Sequence, residues 1–307
     1  MRYRIQSLLL LASVAALVSG CATQSVAPVA SNVGVLVMAH GGGKQWDQDV
    51  IAALSPLKER HDVEVAFGMA DAESLQEGVS KLESRGAKNI AVVRLFISGE
   101  SFKKETEQVL GLAAGAPARP PANDDHANHQ GHSMEFWRID TRASFSLSQE
   151  GLVEAPEMGN VLVDRARTLS RDPKSEDVLI LAHGPGDDAE NQRWLTQLER
   201  RADTVRGALP FRRVHVETLR EDWPEKRKVA EQHIREFVAR ASREGGRAIV
   251  IPFRVQGFGP YAKVLDGLEF VSDGRGLIPD PEVTKWVARQ VEVLQRTQFN
   301  APLHQQE

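Results

Sequence analysis

A short pattern occurs twice in this 307-residue chain and constrains its fold more than any other feature. Val35-Leu36-Val37-Met38-Ala39-His40-Gly41-Gly42-Gly43 returns as Val178-Leu179-Ile180-Leu181-Ala182-His183-Gly184-Pro185-Gly186. Each copy is an unbroken apolar run stopped by Ala-His-Gly. An apolar run of this length with β-branched residues and a glycine stop predicts a strand buried on both faces, as in a parallel sheet. A helical pattern follows each copy, over 45–61 and 188–209, the second with Trp194, Leu195, Leu198 and Ala202 on one face. Then come a strand (63–68; 213–218), a helix closed by Gly86 or Gly245 (72–85; 226–244), and another apolar strand (90–97; 248–255). Gly99 and Gly257 lie two residues beyond these last strands.

Strand and helix alternating in this way predict right-handed parallel α/β units. Their repetition predicts two similar flavodoxin-like parallel-sheet domains from an internal duplication, over 33–171 and 172–296. The second half is longer, an excess expected near 220–224 and in longer helices. A strand over 136–145 and a helix over 158–170 are expected to complete the first half, and a helix over 282–296 the second. Residues 297–307 are expected to form a tail. In open parallel sheets, ligands bind outside the carboxyl ends of the strands. Both His-Gly pairs and both glycine loops fall at such ends.

The composition narrows the function classes. With 41% hydrophobic and 26% charged residues the chain is an ordinary globular protein, neither disordered throughout nor polytopic in a membrane. A net charge of −4 offers no basic surplus for nucleic acid. The single cysteine, Cys21, permits no intrachain disulfide and no cysteine-based zinc site.

Cys21 is informative by its position. Arg2 and Arg4 precede an apolar run over 7–18, too short to span a bilayer but suited to a signal peptide. Val18-Ser19-Gly20-Cys21 then resembles the lipobox of bacterial lipoproteins. The resemblance implies cleavage before Cys21, lipidation there, and membrane attachment through the lipid; Ala22 resembles the outer-membrane sorting pattern of Gram-negative bacteria, facing the periplasm. The bland alternative is a plain signal peptide with an incidental cysteine. Residues 22–32 are expected to be a tether.

Three sets of residues offer chemistry. His40 and His183, each before a glycine at a strand end, are suited to bind a divalent metal or accept a proton, or else are hydrogen-bonded structural histidines. Gly41 and its neighbours suit an anion or a tight turn. A polar loop over 112–134 carries His126, His129 and His132, with Asp124, Asp125 and Met134. It is either a metal-binding segment or a polar insertion. Arg254, Tyr261 and Lys263 are candidate anion contacts, and Trp223 is a candidate stacking residue on a lid.

The order strand–His–Gly, helix, strand, helix and Leu95-Phe96-Ile97-Ser98-Gly99 resembles the CbiX/sirohydrochlorin chelatases of the class II chelatase superfamily, over roughly residues 33–295. The resemblance implies two chelatase-like domains facing a cleft and insertion of Co²⁺, Ni²⁺ or Fe²⁺ into a tetrapyrrole, a lyase reaction. His40 matches the family's first metal-binding histidine. The second histidine of the family would follow Gly99, where this chain has Glu100 and Ser101; the resemblance implies either that Glu100 stands in as carboxylate ligand and base or, with Ser101 there, that the site is lost. Gly41, Gly99, His183 and Gly257 are the expected contacts of the bound molecule. Two other readings stand beside this one: a periplasmic metal- or haem-binding lipoprotein without insertion, and an envelope scaffold on a degenerate chelatase fold.

Overall fold

The computed structural model describes residues 33–121 and 135–305. Cys21, the tether, and His126, His129 and His132 lie outside the described residues, as do the expectations attached to them.

The repeat folds as a repeat. In the first half β1 (Val33–Ala39), β2 (Asp62–Phe67), β3 (Asn89–Leu95) and β4 (Ser144–Leu147) form a parallel sheet ordered β2-β1-β3-β4. In the second, β5 (Glu176–Ala182), β6 (Arg213–Thr218) and β7 (Arg247–Phe253) form a parallel sheet ordered β6-β5-β7. β1 and β5 are thus the inner strands of equivalent triplets, each ending on the alanine before its histidine. Two similar parallel-sheet α/β domains result.

The helices are α1 (Lys44–Leu54), α2 (Ala72–Ser84), α3 (Lys103–Val109), α4 (Glu157–Leu169), α5 (Asp188–Ala208), α6 (Pro224–Arg243), the single turn α7 (Tyr261–Val264) and α8 (Pro281–Gln295). The expected helix over 45–61 ends early, at Leu54, where Pro56 removes a donor and the chain tightens into a 3₁₀ turn, Ser55–Glu59. The excess length of the second half lies in its helices rather than in the turn at 220–224: α5 has 21 residues against 11 in α1, and α6 has 20 against 13 in α2.

The strand expected over 136–145 is short and late. Residues before Ser144 bond instead to side chains of α2: Asp140 N–H donates to Gln76 Oε1 at 2.7 Å, and Arg142 N–H to Glu83 Oε1 at 2.8 Å. Trp137 and Ile139 still reach the core without a ladder.

The larger departure concerns α4 and α8. The sequence order assigns α4 to the first half and α8 to the second. In the structure α4 packs on α5 and reaches β7, whereas α8 packs on β3, β4 and α1. Each half therefore supplies a helix to the sheet of the other. Strand alternation explains how both fit: Val35, Val37, Val178 and Ile180 face one shared core with Trp286 of α8 and Val161 of α4. Leu36 and Met38 face a separate outer layer under α2, and Leu179 and Leu181 another under α6. Trp286 Nε1–H donates to Glu150 at 2.9 Å, and Arg289 joins Glu150 to Glu157, so the crossing helices also share polar ties.

Among the described residues no helix is long and apolar enough to cross a membrane.

Asp177, at the start of β5, is wholly buried between Arg212 and Arg213, whose guanidinium groups donate to its carboxylate at 2.9 and 2.5 Å. Burial alone would raise this carboxyl, but the two arginines outweigh it and hold it below its ordinary value. A depressed carboxyl stabilises the fold above its unfolded value, near 3.9, and loses that contribution as the pH falls through the folded value. Urea-unfolding stability should therefore be insensitive to this group above about pH 5 and decline below about pH 4. In Asp177→Asn the decline should be shallower and the stability at pH 7 lower.

Candidate functional site

The carboxyl ends of β1 and β5 open on one cleft, of about 390 Å³, within the range of small-molecule sites. His40 and His183 both line it, one from each half. Their local geometry repeats. His40 Nδ1 lies 2.7 Å from the carbonyl of Gly41, and His183 Nδ1 lies 2.7 Å from the carbonyl of Gly184. A carbonyl can only accept, so Nδ1 is the donor in each ring and Nε2 is the nitrogen left for another partner. The following glycine makes this turn possible: φ is +77° at Gly41 and +78° at Gly184, in the left-handed region.

Three of the five tryptophans wall the cleft: Trp46, Trp194 and Trp223, with Phe96 and Phe102. Such a surface suits a flat, conjugated ligand. Trp46 stands beside His40, ring centres 6.4 Å apart, and Trp223 beside His183 at 6.2 Å and 87°. Trp223 is set by its contact with Gly186, where an added Cβ would fall 2.2 Å from the indole.

The carboxylates are not where the sequence suggests. Glu100 does not line the cleft. Both its oxygens accept from Arg193 at 2.6 Å, and that pairing holds its carboxyl below the usual range. The expected His40–Glu100 pair is thus replaced by a Glu100–Arg193 pair, because α5 brings a guanidinium to the loop after β3.

The cleft carboxylates are Glu190 and Asp222. Burial, reinforced by the charge of Glu100, pushes the Glu190 carboxyl above its ordinary value. Asp222 Oδ2 lies 3.0 Å from His183 Nε2, and Glu221 Oε2 lies 4.0 Å away. Sequence reasoning passed over Glu190 because Asp187-Asp188-Ala189-Glu190 has the form of a helix start, and Asp187 does cap α5 by accepting from the Glu190 N–H at 2.7 Å.

Of the remaining expected contacts, Gly41, Gly99 and Gly257 shape turns around the cleft without lining it. The Gly99 loop is held from beneath by Arg94, which is 1% exposed and donates to the carbonyls of Gly99 (2.7 Å), Ser101 (2.9 Å) and Ser148 (2.6 Å). Burial pulls this guanidinium down to about 10. Arg254 lines the cleft but is paired with Glu221, Tyr261 is wholly buried, and Lys263 is exposed outside it. A larger hollow, about 710 Å³ between β4 and α8, holds no histidine. Among the described residues no group of three or more His, Cys, Asp and Glu is arranged to hold a metal ion.

Gly186→Ala should displace Trp223 and cost about 1–3 kcal/mol by overpacking. Urea unfolding measures the loss, and a changed near-ultraviolet circular dichroism spectrum reports the indole.

With the geometry in view, comparisons place the chain among known proteins. Residues 34–139 match the CbiX family model. No curated protein matches the chain. Among solved structures, SirB from Bacillus subtilis with Fe³⁺ is 15% identical with a TM-score of 0.60, the match covering 87% of this chain and 98% of SirB. CbiX, described as the terminal enzyme for siroheme biosynthesis in denitrifying bacteria, is 17% identical with a TM-score of 0.52, covering 85% of this chain and 98% of that one. A multi-domain protein of Deinococcus radiodurans with structural similarity to chelatases is 20% identical with a TM-score of 0.55; the match covers 88% of this chain but only 57% of that protein. The chain thus carries a CbiX match within its first half and a chelatase fold over most of its length.

Proposed function

We propose that this protein is a tetrapyrrole metal-chelatase-like protein whose cleft takes a divalent metal and a sirohydrochlorin-type macrocycle as substrates. The observation that carries this reading is the meeting of His40 and His183 in one tryptophan-walled cleft, each with Nδ1 committed to a carbonyl. Imidazole nitrogen suits Co²⁺, Ni²⁺ and Fe²⁺ alike. Insertion requires the pyrrole N–H protons to leave, and Glu190, a cleft carboxylate with a raised proton affinity, is the acceptor in this reading. The aromatic walls would hold the macrocycle flat against the metal.

Purified full chain mixed with sirohydrochlorin and Co²⁺ should shift the absorption spectrum faster than the protein-free mixture. The double variant His40→Ala/His183→Ala should lose at least about tenfold in rate. Glu190→Gln should slow insertion by about 100-fold while leaving macrocycle binding intact. A spectrum that does not respond to the protein would sink the proposal.

A second reading, metal or haem carriage without insertion, draws on one observation: Glu100 is occupied by Arg193 and no histidine follows Gly99. A spectral shift on binding with no rate above background would favour it.

The address belongs to the same proposal. Arg2, Arg4, the apolar run and Val18-Ser19-Gly20-Cys21 support lipidation of Cys21 and an outer-membrane lipoprotein handling metal at the cell envelope. Cells fed an alkyne fatty acid should label the wild-type chain and not Cys21→Ser, which should move to the soluble fraction. An unlabelled wild-type chain would refute the anchor.

A further inference from the structure

The two histidines share a backbone setting but differ in what faces them. His183 Nδ1 donates to the Gly184 carbonyl, so Nε2 is the ring nitrogen left for a second partner. Nε2 lies 3.0 Å from Asp222 Oδ2, with Glu221 Oε2 at 4.0 Å. A nitrogen and a carboxylate oxygen at that distance are held together by a proton or by a metal cation that both ligate. His40 has the same Nδ1 contact, but among the described residues no carboxylate lies within 4.0 Å of it.

The carboxylates at His183 are held there by structure. The turn carrying them is pinned to the histidine's own backbone, since the Arg220 N–H donates to the His183 carbonyl at 2.7 Å. Arg220 has φ +58° and donates to the Gly186 carbonyl at 2.7 Å. Glu221 is held on its far side by Arg254, and Trp223 closes over the ring of His183.

We propose that His183 Nε2 and Asp222 form an open, two-ligand site for a divalent transition-metal cation in the second half of the protein, with Glu221 the nearest further carboxylate. Mixed nitrogen and carboxylate donors favour Co²⁺, Ni²⁺ or Zn²⁺ over Mg²⁺ or Ca²⁺. Two protein ligands leave most coordination positions to water or to incoming nitrogen donors, which suits a metal that is to be handed on. The inference deepens the chelatase reading by assigning the metal to one half, and it rests on metal handling in this cleft, not on insertion.

The test uses Co²⁺ alone. Full chain carrying His126→Ala, His129→Ala and His132→Ala, which removes those three candidate ligands, is titrated with Co²⁺ by calorimetry and visible absorption. His183→Ala and Asp222→Asn should each weaken binding at least about tenfold, and more than His40→Ala does. Far-ultraviolet circular dichroism checks that each variant is folded. If the parent binds no Co²⁺, the contact is a salt bridge to a protonated imidazole and the proposal fails. It also fails if His40→Ala weakens binding as much as His183→Ala. Loss of insertion with Co²⁺ binding retained would instead refute the enzymatic reading and leave this site standing.

Discussion

Two helices that each cover the other half's sheet hold this protein in its working shape. α4 lies on the second sheet and α8 on the first, and the inner faces of both sheets meet them in one apolar core. Neither half could bury its inner face alone without the borrowed helix. The exchange has a functional consequence. The two strand ends that carry His40 and His183 are fixed relative to each other by packed side chains rather than by a hinge, so the cleft is largely preformed. Trp286, buried in that core and bonded to Glu150, links the crossing helix to the loop that follows β4.

The cleft is symmetric in its backbone and asymmetric in its charges. The strand, the histidine with its Nδ1 on the next carbonyl, the left-handed glycine and a neighbouring tryptophan occur in both halves. The charged residues around them do not. The first half has a carboxylate, Glu100, tied to an arginine of α5; the second has carboxylates turned toward its histidine. Similar backbones therefore present different chemistry, as expected when a fold is retained and its loops diverge.

Elements with a strong local signal were legible in the residues. β1 and β5 follow from unbroken apolar runs, and β6 spans 213–218 as its pattern indicates. α2 and α6 are closed by Gly86 and Gly245, both in the left-handed region. The stretch before β4 was less so, because its apolar Trp137 and Ile139 are buried by a loop whose polar backbone is satisfied by Gln76 and Glu83, partners about sixty residues away. In the cleft, His40 and His183 stood out through repetition. Glu190 was masked by its place in a helix start, and Asp222 by its place in a turn.

What the sequence by itself determined was the set of parts: parallel strands, their succession along the chain, the two histidines at their ends and the glycines that let the chain turn there. These follow from periodicity and backbone freedom, which act between near neighbours. Only the tertiary structure decided which sheet α4 and α8 would cover, that Glu100 would pair with Arg193, and that Glu190 and Asp222 would be the carboxylates of the cleft. Those outcomes depend on contacts between residues far apart in the chain, where shape complementarity and the cost of an unpaired buried charge choose the partner.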